Sequence, residues 1–187
     1  MIAVLHCQRG GVYWDRPGVD AWDEARDARR YAGPWPVVAH PDCARWGRFW
    51  YGSPSSSVRH QRGDDDGRFQ TALHAVRRWG GVLEHPAHSY AWDFFGLLKP
   101  TVQGWSMTIG GDWVCQVDQG RYGHGAPKST WLLYCGVGLP PPLLWGRSNA
   151  CGRVERMSRR QREATPPAFA DLLISLAAQA RPGRAAA

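Results

Sequence analysis

The fold is decided by the stretch Pro36-Val37-Val38-Ala39-His40-Pro41-Asp42-Cys43. Its first four residues are apolar, which predicts a strand buried on both faces, because a strand with one solvated face would alternate. Pro41 lacks the backbone N–H that a sheet needs, so we expect the strand to end there and Cys43 to lie on the following turn. In open α/β sheets this carboxyl edge is where ligands bind. Cys43 is therefore the candidate nucleophile.

A second buried strand is predicted one helix further along the chain. Apolar residues recur at helical spacing between Phe69 and Trp79, and Val82-Leu83-Glu84 then begins a strand that His85-Pro86 ends. A helix between two buried strands is typical of a βαβ unit with parallel strands. We therefore expect the ends of both strands, and with them Cys43 and Glu84, to face one crevice.

Further strands are predicted on both sides of this unit. Ile2 to His6 and Trp131 to Tyr134 are short apolar runs that favour strands. Trp105 to Val117 alternates around Gly110-Gly111, which is typical of a β-hairpin. The charged stretch Asp15 to Arg30 favours a loop with a short helix. These patterns predict one mostly parallel sheet with a hairpin insertion.

The C-terminal part of the chain is predicted to be helical. Thr165 is expected to cap a helix that Pro166 opens, with one apolar face formed by Phe169, Leu172, Leu173 and Leu176. Residues 52–67 are polar and rich in turn formers, so we expect a mobile loop there, and 181–187 favour a frayed tail. The prediction is a single α/β domain over residues 1–187.

The composition narrows the partners and the compartment. A net charge of +7, carried almost entirely by arginine, favours DNA or a nucleotide as the partner. Five cysteines without a CxxC pair argue against a disulfide scaffold and for a reducing compartment. No run approaches the roughly 20 apolar residues of a membrane span, and no signal peptide is recognisable. We therefore expect a cytoplasmic protein that does not act at a membrane.

Three segments share the order and spacing of a known catalytic unit: HPDC at 40–43, LEHP at 83–86 and DQGRYGHGAPKST at 118–130. In this respect the chain resembles the cytosine-5 DNA methyltransferases. It is more closely similar to small phage-encoded, methyltransferase-like proteins with AHPPC, ENP or EHP, and YGH…KxT segments. The resemblance implies a Rossmann-like fold of the methyltransferase type, S-adenosylmethionine as a cofactor and, for a phage protein, the bacterial host cytoplasm.

The resemblance also implies roles for individual residues. Cys43 would be the nucleophile that attacks carbon 6 of a pyrimidine, and Glu84 would hold or protonate ring nitrogen 3. Asp23 or Asp27 would bind the cofactor ribose. The implied substrate-binding residues are those of the three motifs that flank this pair: His40, His85, Arg121, Tyr122, Gly123 and Lys128.

The chemistry explains these residue types. Cytosine is a poor carbon nucleophile, and addition of a thiolate at carbon 6 raises the electron density at carbon 5. A carboxylate such as Glu84 within hydrogen-bond reach then offsets the charge that develops on the ring. A base in a duplex must first be flipped out, and Trp46 and Trp50 are candidates to stack on it. Asp42 replaces the usual second proline, and its charge is expected to raise the pKa of the thiol.

Two other functions remain open on the sequence. The chain can be a catalytically inactive, methyltransferase-like module that binds nucleic acid or a host protein, for instance as a counter-defence factor. Alternatively, His40-x-x-Cys43 and His85-x-x-His88 at two neighbouring strand ends can converge as four nitrogen and sulfur ligands, a set that suits zinc.

Overall fold

The computed structural model describes residues 1–52, 55, 57–101 and 103–180. Its regular elements are seven strands and four helices, joined by short 3₁₀ turns. The strands are β1 (Ile2–Leu5), β2 (Val19–Trp22), β3 (Val37–Ala39), β4 (Gly81–Pro86), β5 (Ser106–Met107), β6 (Trp113–Asp118) and β7 (Ser129–Cys135). The helices are α1 (Arg68–Trp79), α2 (Tyr90–Phe94), α3 (Arg159–Glu163) and α4 (Pro167–Gln179).

The strands form one seven-stranded sheet in the order β2-β1-β3-β4-β7-β6-β5. The first four run parallel to one another, whereas β7, β6 and β5 each run antiparallel to the strand before them in this order. The chain is thus a mixed α/β protein. The expectation of a mostly parallel sheet holds for only half of the pairings, because the described residues between β4 and β7 form no full-length helix that could carry the chain back across the sheet.

Helices cover both faces of the sheet. Successive residues of a strand point to opposite faces, so Leu83 of β4 packs in a cluster with α1 and α2, while Val82 packs with α4 in a second cluster. The same alternation carries on to the next two residues of β4. Glu84 therefore lies on the α4 face and His85 on the α1 face.

Most of the predicted elements are confirmed, including the hairpin of β5 and β6 and the helix that joins β3 to β4. The stretch interpreted as a loop with a short helix does contain a 3₁₀ turn at Ala28–Arg30, but it also contains β2, which the interpretation missed. The strand lies at the edge of the sheet, where all four residues are half-buried, so it lacks the apolar pattern of a buried strand.

The predictions for the cap of α4 and for the loop 52–67 need correction, and the tail 181–187 lies outside the described residues. Thr165 is not the cap of α4, because the residue before the helix is Pro166 and no side chain caps the first turn. Within 52–67, Ser53, Pro54 and Ser56 lie outside the described residues, as does the tail 181–187. Asp65 of that segment is buried, so part of the predicted surface loop belongs to the core. No described helix has the length and apolar character that crossing a membrane requires.

Candidate active site at the carboxyl edge of the parallel strands

Cys43 lies on the turn that follows β3, as the sequence predicts. Asp42 forms this turn through its side chain, which accepts a hydrogen bond from the Ala44 N–H at 2.9 Å. The Cys43 carbonyl accepts from the N–H groups of Trp46 and Gly47, both at 3.1 Å, and closes a second turn. The side chain of Cys43 is exposed. The fold thus presents the thiol on a short, hydrogen-bonded loop.

The surroundings of Cys43 favour the neutral thiol. Displacement of water by the surrounding protein, together with the charges of Asp42 and Glu84, raises the pKa of Cys43 to about 11. The positive charge of Lys128 opposes this shift but does not outweigh it. The direction agrees with the effect expected of Asp42, and it means that this thiol is protonated at neutral pH.

Glu84 and His40 meet because β3 and β4 are parallel neighbours. Ala39 pairs with Leu83 in the register of the two strands, so the next residues of each strand lie side by side. His40 Nδ1 lies 2.9 Å from Glu84 Oε2, and both side chains are largely buried. His40 Nε2 in turn lies 2.9 Å from the hydroxyl of Tyr13. Nδ1–H donates to the carboxylate, which leaves Nε2 facing the tyrosine hydroxyl.

Glu84 is held as a carboxylate. Burial on its own would raise the pKa of Glu84, but the hydrogen bond and charge of His40 and the charge of Lys128 outweigh it and leave the pKa below its usual value. The pKa of Tyr13 lies well above its usual value, because the hydroxyl is buried and faces the negative charge of Glu84. A buried carboxylate with fixed donors is suited to bind a ligand N–H or to supply charge.

Gln119 completes the surroundings of Glu84, although it was not among the predicted site residues. Its Nε2 donates to Glu84 Oε1 at 3.1 Å and to the hydroxyl of Thr130 at 2.9 Å. Its Oε1 is buried and has no hydrogen-bond partner among the residues that the structure describes. Gln119 directly follows β6, and an amide at the end of a buried hairpin strand was the one signal available. Tyr13 lies in a loop and offered no such signal.

The third motif segment contributes Lys128 to this site as well as Gln119. Asp118 holds the segment in place by accepting from the N–H groups of Gly120, Lys128 and Ser148 at 2.8 to 2.9 Å. Lys128 is thereby placed where its charge acts on both Glu84 and Cys43.

The other residues predicted from this segment lie elsewhere. The Tyr122 hydroxyl accepts from the Leu144 N–H at 3.0 Å, and its ring packs on Phe169 of α4. Gly123 ends a 3₁₀ turn in a left-handed conformation. Arg121 is exposed and donates to the Arg147 carbonyl at 3.3 Å. Arg121, Tyr122 and Gly123 therefore stabilise the loop and do not contact Glu84.

A crevice opens beside this group, at the carboxyl ends of β1 and β2. Its volume is about 410 Å³, and Cys7, Gln8, Arg9, Asp23, Glu24 and Ala25 line it. Asp23 directly follows β2 and accepts from the Arg26 N–H at 3.0 Å. Asp27, the other residue predicted to bind a cofactor, instead caps a 3₁₀ turn and pairs with Arg29. Of the two aspartates, only Asp23 lines the crevice.

His6 marks the point where the strand order reverses. The chain passes from β1 to β2 on one side and then to β3 on the other, and ligands bind at such switch points in α/β sheets. His6 follows β1 with a φ of 58°, which is unusual for a residue other than glycine. Burial and the charges of Arg68 and His40 lower its pKa to about 4, and no group in the described part of the chain forms a hydrogen bond with its Nε2.

His85 does not join the site. It points to the α1 face, is fully buried and packs against the rings of Phe69 and Trp92 at 5.1 and 6.3 Å between centroids. Substrate contact through His85 is therefore not supported by its position. Trp46 is likewise buried, so of the two tryptophans expected to stack on a base only Trp50 reaches the surface.

The two histidine and cysteine pairs do not assemble a common site. His85 is enclosed in the core while His88 packs on Trp131, and His40 is engaged by Glu84 and Tyr13. Among the residues that the structure describes, no three histidine, cysteine, aspartate or glutamate side chains are grouped to hold a metal ion.

Comparison of the chain with protein-family models, with curated proteins and with solved structures finds no significant match.

Proposed function

We propose that the chain is a methyltransferase-like enzyme that modifies a pyrimidine base in DNA or a nucleotide, with Cys43 as the nucleophile and Glu84 as the group that binds the ring. In this proposal the four parallel strands are a Rossmann-like unit and the reaction is cytosine-5 methyl transfer. The observation that carries the proposal is one sheet edge with three features: an exposed thiol after β3, an ionised carboxylate at the end of β4 and a crevice at the ends of β1 and β2.

The side chains support a definite division of labour. The thiolate of Cys43 forms a bond to carbon 6 of the pyrimidine, and the electron pair that this displaces makes carbon 5 nucleophilic. Glu84, fixed by His40 and Gln119, accepts a hydrogen bond from the amino group of cytosine, and from ring nitrogen 3 once that atom takes up the proton that Cys43 releases. After carbon 5 has accepted the methyl group, with S-adenosylhomocysteine as the leaving group, carbon 5 would give its proton to water. The bond from Sγ to carbon 6 would then break, and the sulfur would leave as a thiolate that takes back the proton of ring nitrogen 3. Lys128 supplies the positive charge that favours this thiolate.

The crevice suits a nucleoside cofactor. Its volume of about 410 Å³ falls within the range of small-molecule sites, and the Asp23 carboxylate at its wall is an acceptor for ribose hydroxyls. S-adenosylmethionine bound there would supply the methyl group. Gln8, Arg9 and Glu24 would line the rest of the cofactor site.

The cofactor assignment is tested by thermal unfolding with S-adenosylmethionine. A ligand that binds the folded state raises the midpoint by mass action, by an amount that grows with ligand concentration. We expect the shift to be lost in Asp23→Ala and kept in Asp27→Ala, because Asp27 does not line the crevice. A midpoint that is unchanged at saturating cofactor would overturn the assignment.

The nucleophile is tested by covalent trapping on DNA that contains 5-fluorocytosine. Fluorine at carbon 5 blocks loss of the substituent, so the complex with Cys43 should persist on a denaturing gel in the presence of cofactor. Cys43→Ser should abolish it, whereas Cys151→Ser, which removes the other exposed cysteine, should not. Trapping that survives Cys43→Ser, or that fails in the unmodified protein, would refute the assignment.

One observation favours a second candidate function, a nucleic-acid-binding module without catalysis. The pKa of about 11 at Cys43 leaves little thiolate at neutral pH. In that case Cys43→Ser would leave DNA binding unchanged, and no methyl group would be transferred by either protein.

A further inference from the structure

Exposed aromatic rings and arginines meet on the surface next to the Cys43 turn. We call this patch the arginine–aromatic surface, and it consists of Arg48, Phe49, Trp50, Tyr51, Arg62 and Tyr90. Phe49 and Tyr51 are 66% and 45% exposed. Large apolar rings that stay in solvent commonly mark a binding surface.

The rings and guanidinium groups form one continuous array. Tyr51 contacts the rings of Phe49 and Trp50, with centroids 6.4 and 5.7 Å apart. Arg62 lies over the rings of Tyr90 and Trp50, at 4.1 and 5.6 Å from their centroids. The patch thus combines aromatic rings with guanidinium groups, which is the composition that stacks on nucleic-acid bases.

The charge of this segment selects a polyanion as the partner. Between Cys43 and Gly63 the chain carries four arginines and no aspartate or glutamate. The acid of α2 beside the patch, Asp93, is paired with Lys99 at 2.7 Å. A protein partner would need a surface that is strongly acidic and also binds aromatic rings. Nucleic acid has both properties, because its phosphates pair with arginine and its bases stack on aromatic rings.

Hydrogen bonds to the underlying residues hold the arginine–aromatic surface in place. Arg45 donates to the Trp50 carbonyl and contacts His60 Nε2, both at 2.9 Å. The Tyr90 N–H donates to the Trp46 carbonyl at 2.9 Å and ties the segment to α2. Trp46 is buried beneath, with its Nε1–H donating to Asp65 at 2.7 Å. The rings are therefore presented on an ordered support.

We infer that this surface binds a single-stranded stretch of nucleic acid, by stacking unpaired bases on Phe49, Tyr51 and their neighbours beside the Cys43 turn. The inference rests on the proposed function and deepens it by naming the physical state of the substrate. In a duplex both faces of each base are covered by its neighbours, so exposed rings find nothing to stack on. A base that is already unpaired also reaches Cys43 without the cost of flipping.

The test compares fluorescence anisotropy titrations of a labelled oligonucleotide of about 20 nucleotides, single-stranded and annealed to its complement. We expect tighter binding of the single strand. Phe49→Leu combined with Tyr51→Leu keeps apolar bulk but removes two stacking faces, and should weaken single-strand binding about tenfold or more. Trp35→Leu changes a partly exposed tryptophan that lies just before β3, whereas the Cys43 turn follows β3. This substitution should leave single-strand binding unchanged.

Charge is tested separately from stacking. Arg62→Gln should weaken binding and make the affinity depend less steeply on salt concentration. Arg78→Gln changes an arginine in the last turn of α1, outside the arginine–aromatic surface, and should do neither. Equal or tighter binding of the duplex, or full affinity in the Phe49 and Tyr51 variant, overturns the inference. So does the absence of oligonucleotide binding at low salt, which would point to a protein partner. The same titrations with Cys43→Ser protein measure binding alone, so a failure of the methyl-transfer proposal is distinguishable.

Discussion

At the scale of single residues, Asp42 controls the reactivity of Cys43. Burial is the largest cause of the raised pKa of the thiol, which is about 11, and the charge of the Asp42 carboxylate is the second. Asp42→Asn keeps the oxygen that accepts from the Ala44 N–H but removes the charge. We therefore expect the pKa of Cys43 to fall and its alkylation by iodoacetamide at pH 8 to accelerate about threefold or more.

This measurement needs a background without the other exposed cysteine. In Cys151→Ser protein, Cys43 is the exposed thiol, since Cys7, Cys115 and Cys135 are buried. Asp66→Asn changes an exposed carboxylate that pairs with Arg29, and should leave the rate unchanged. An alkylation profile that is identical in the Asp42 variant and its parent would mean that Asp42 does not contribute to this pKa.

His85 makes the stability of the protein depend on pH. The ring is buried in an apolar environment that lowers its pKa from 6.5 to about 4, so the unfolded chain binds the proton more tightly. Stability is therefore full above about pH 6.5 and falls as the pH drops toward 4. Between pH 7 and pH 5 we expect this group to cost about 2 kcal/mol of unfolding free energy.

The comparison of His85→Phe with its parent isolates this contribution. Urea unfolding at pH 7 and pH 5 should show a smaller loss of stability in the variant. His74→Phe changes an exposed histidine of α1 and should keep the loss of the parent. If His85→Phe loses as much stability on acidification as the parent, the group that titrates lies elsewhere.

At the scale of elements, Asp65 joins the start of α1 to the Cys43 turn. Its carboxylate accepts from Trp46 Nε1 at 2.7 Å, from the Phe69 N–H at 2.8 Å and from the Gly67 N–H at 3.1 Å. Asp65→Ala leaves these donors buried and unpaired, and should lower the unfolding free energy by about 2 to 3 kcal/mol.

The neighbouring aspartate is the matched control for this prediction. Asp64→Ala changes an exposed side chain that lies 4.0 Å from His60, and should change stability by less than about 0.5 kcal/mol. Equal effects of the two substitutions in urea unfolding would show that Asp65 does not fasten the turn to the helix.

At the scale of the whole molecule, the buried elements were predictable and the contacts between them were less so. The apolar run before His40 and the helical pattern of α1 identify β3, α1 and β4, because burial on both sides leaves a strong pattern. The same order implies that Cys43 and Glu84 share one edge of the sheet. The edge strand β2 was missed because half-buried residues carry no such pattern.

The partners of Glu84 depend on contacts that no local pattern records. His40 meets it through the register of β3 and β4, and Gln119 arrives from a hairpin strand on the far side of β7. His85 was predicted to share the site with Glu84, but it lies on the other face of the sheet. Adjacent residues of a strand point to opposite faces, so Glu84 and His85 cannot both line one site from within β4.

The position of each strand in the sheet also predicts how the molecule opens. β3 and β4 lie in the interior of the sheet with strands on both sides, whereas β2 pairs only with β1 and β5 only with β6. Edge strands open locally without disrupting the core, so their amides exchange through low-energy fluctuations. In native-state hydrogen exchange we expect the amides of Trp22 and Ser106, which point toward β1 and β6, to report opening free energies at least about 2 kcal/mol below that of Val38. Equal protection of all three amides would instead require the sheet, edges included, to unfold as one cooperative unit.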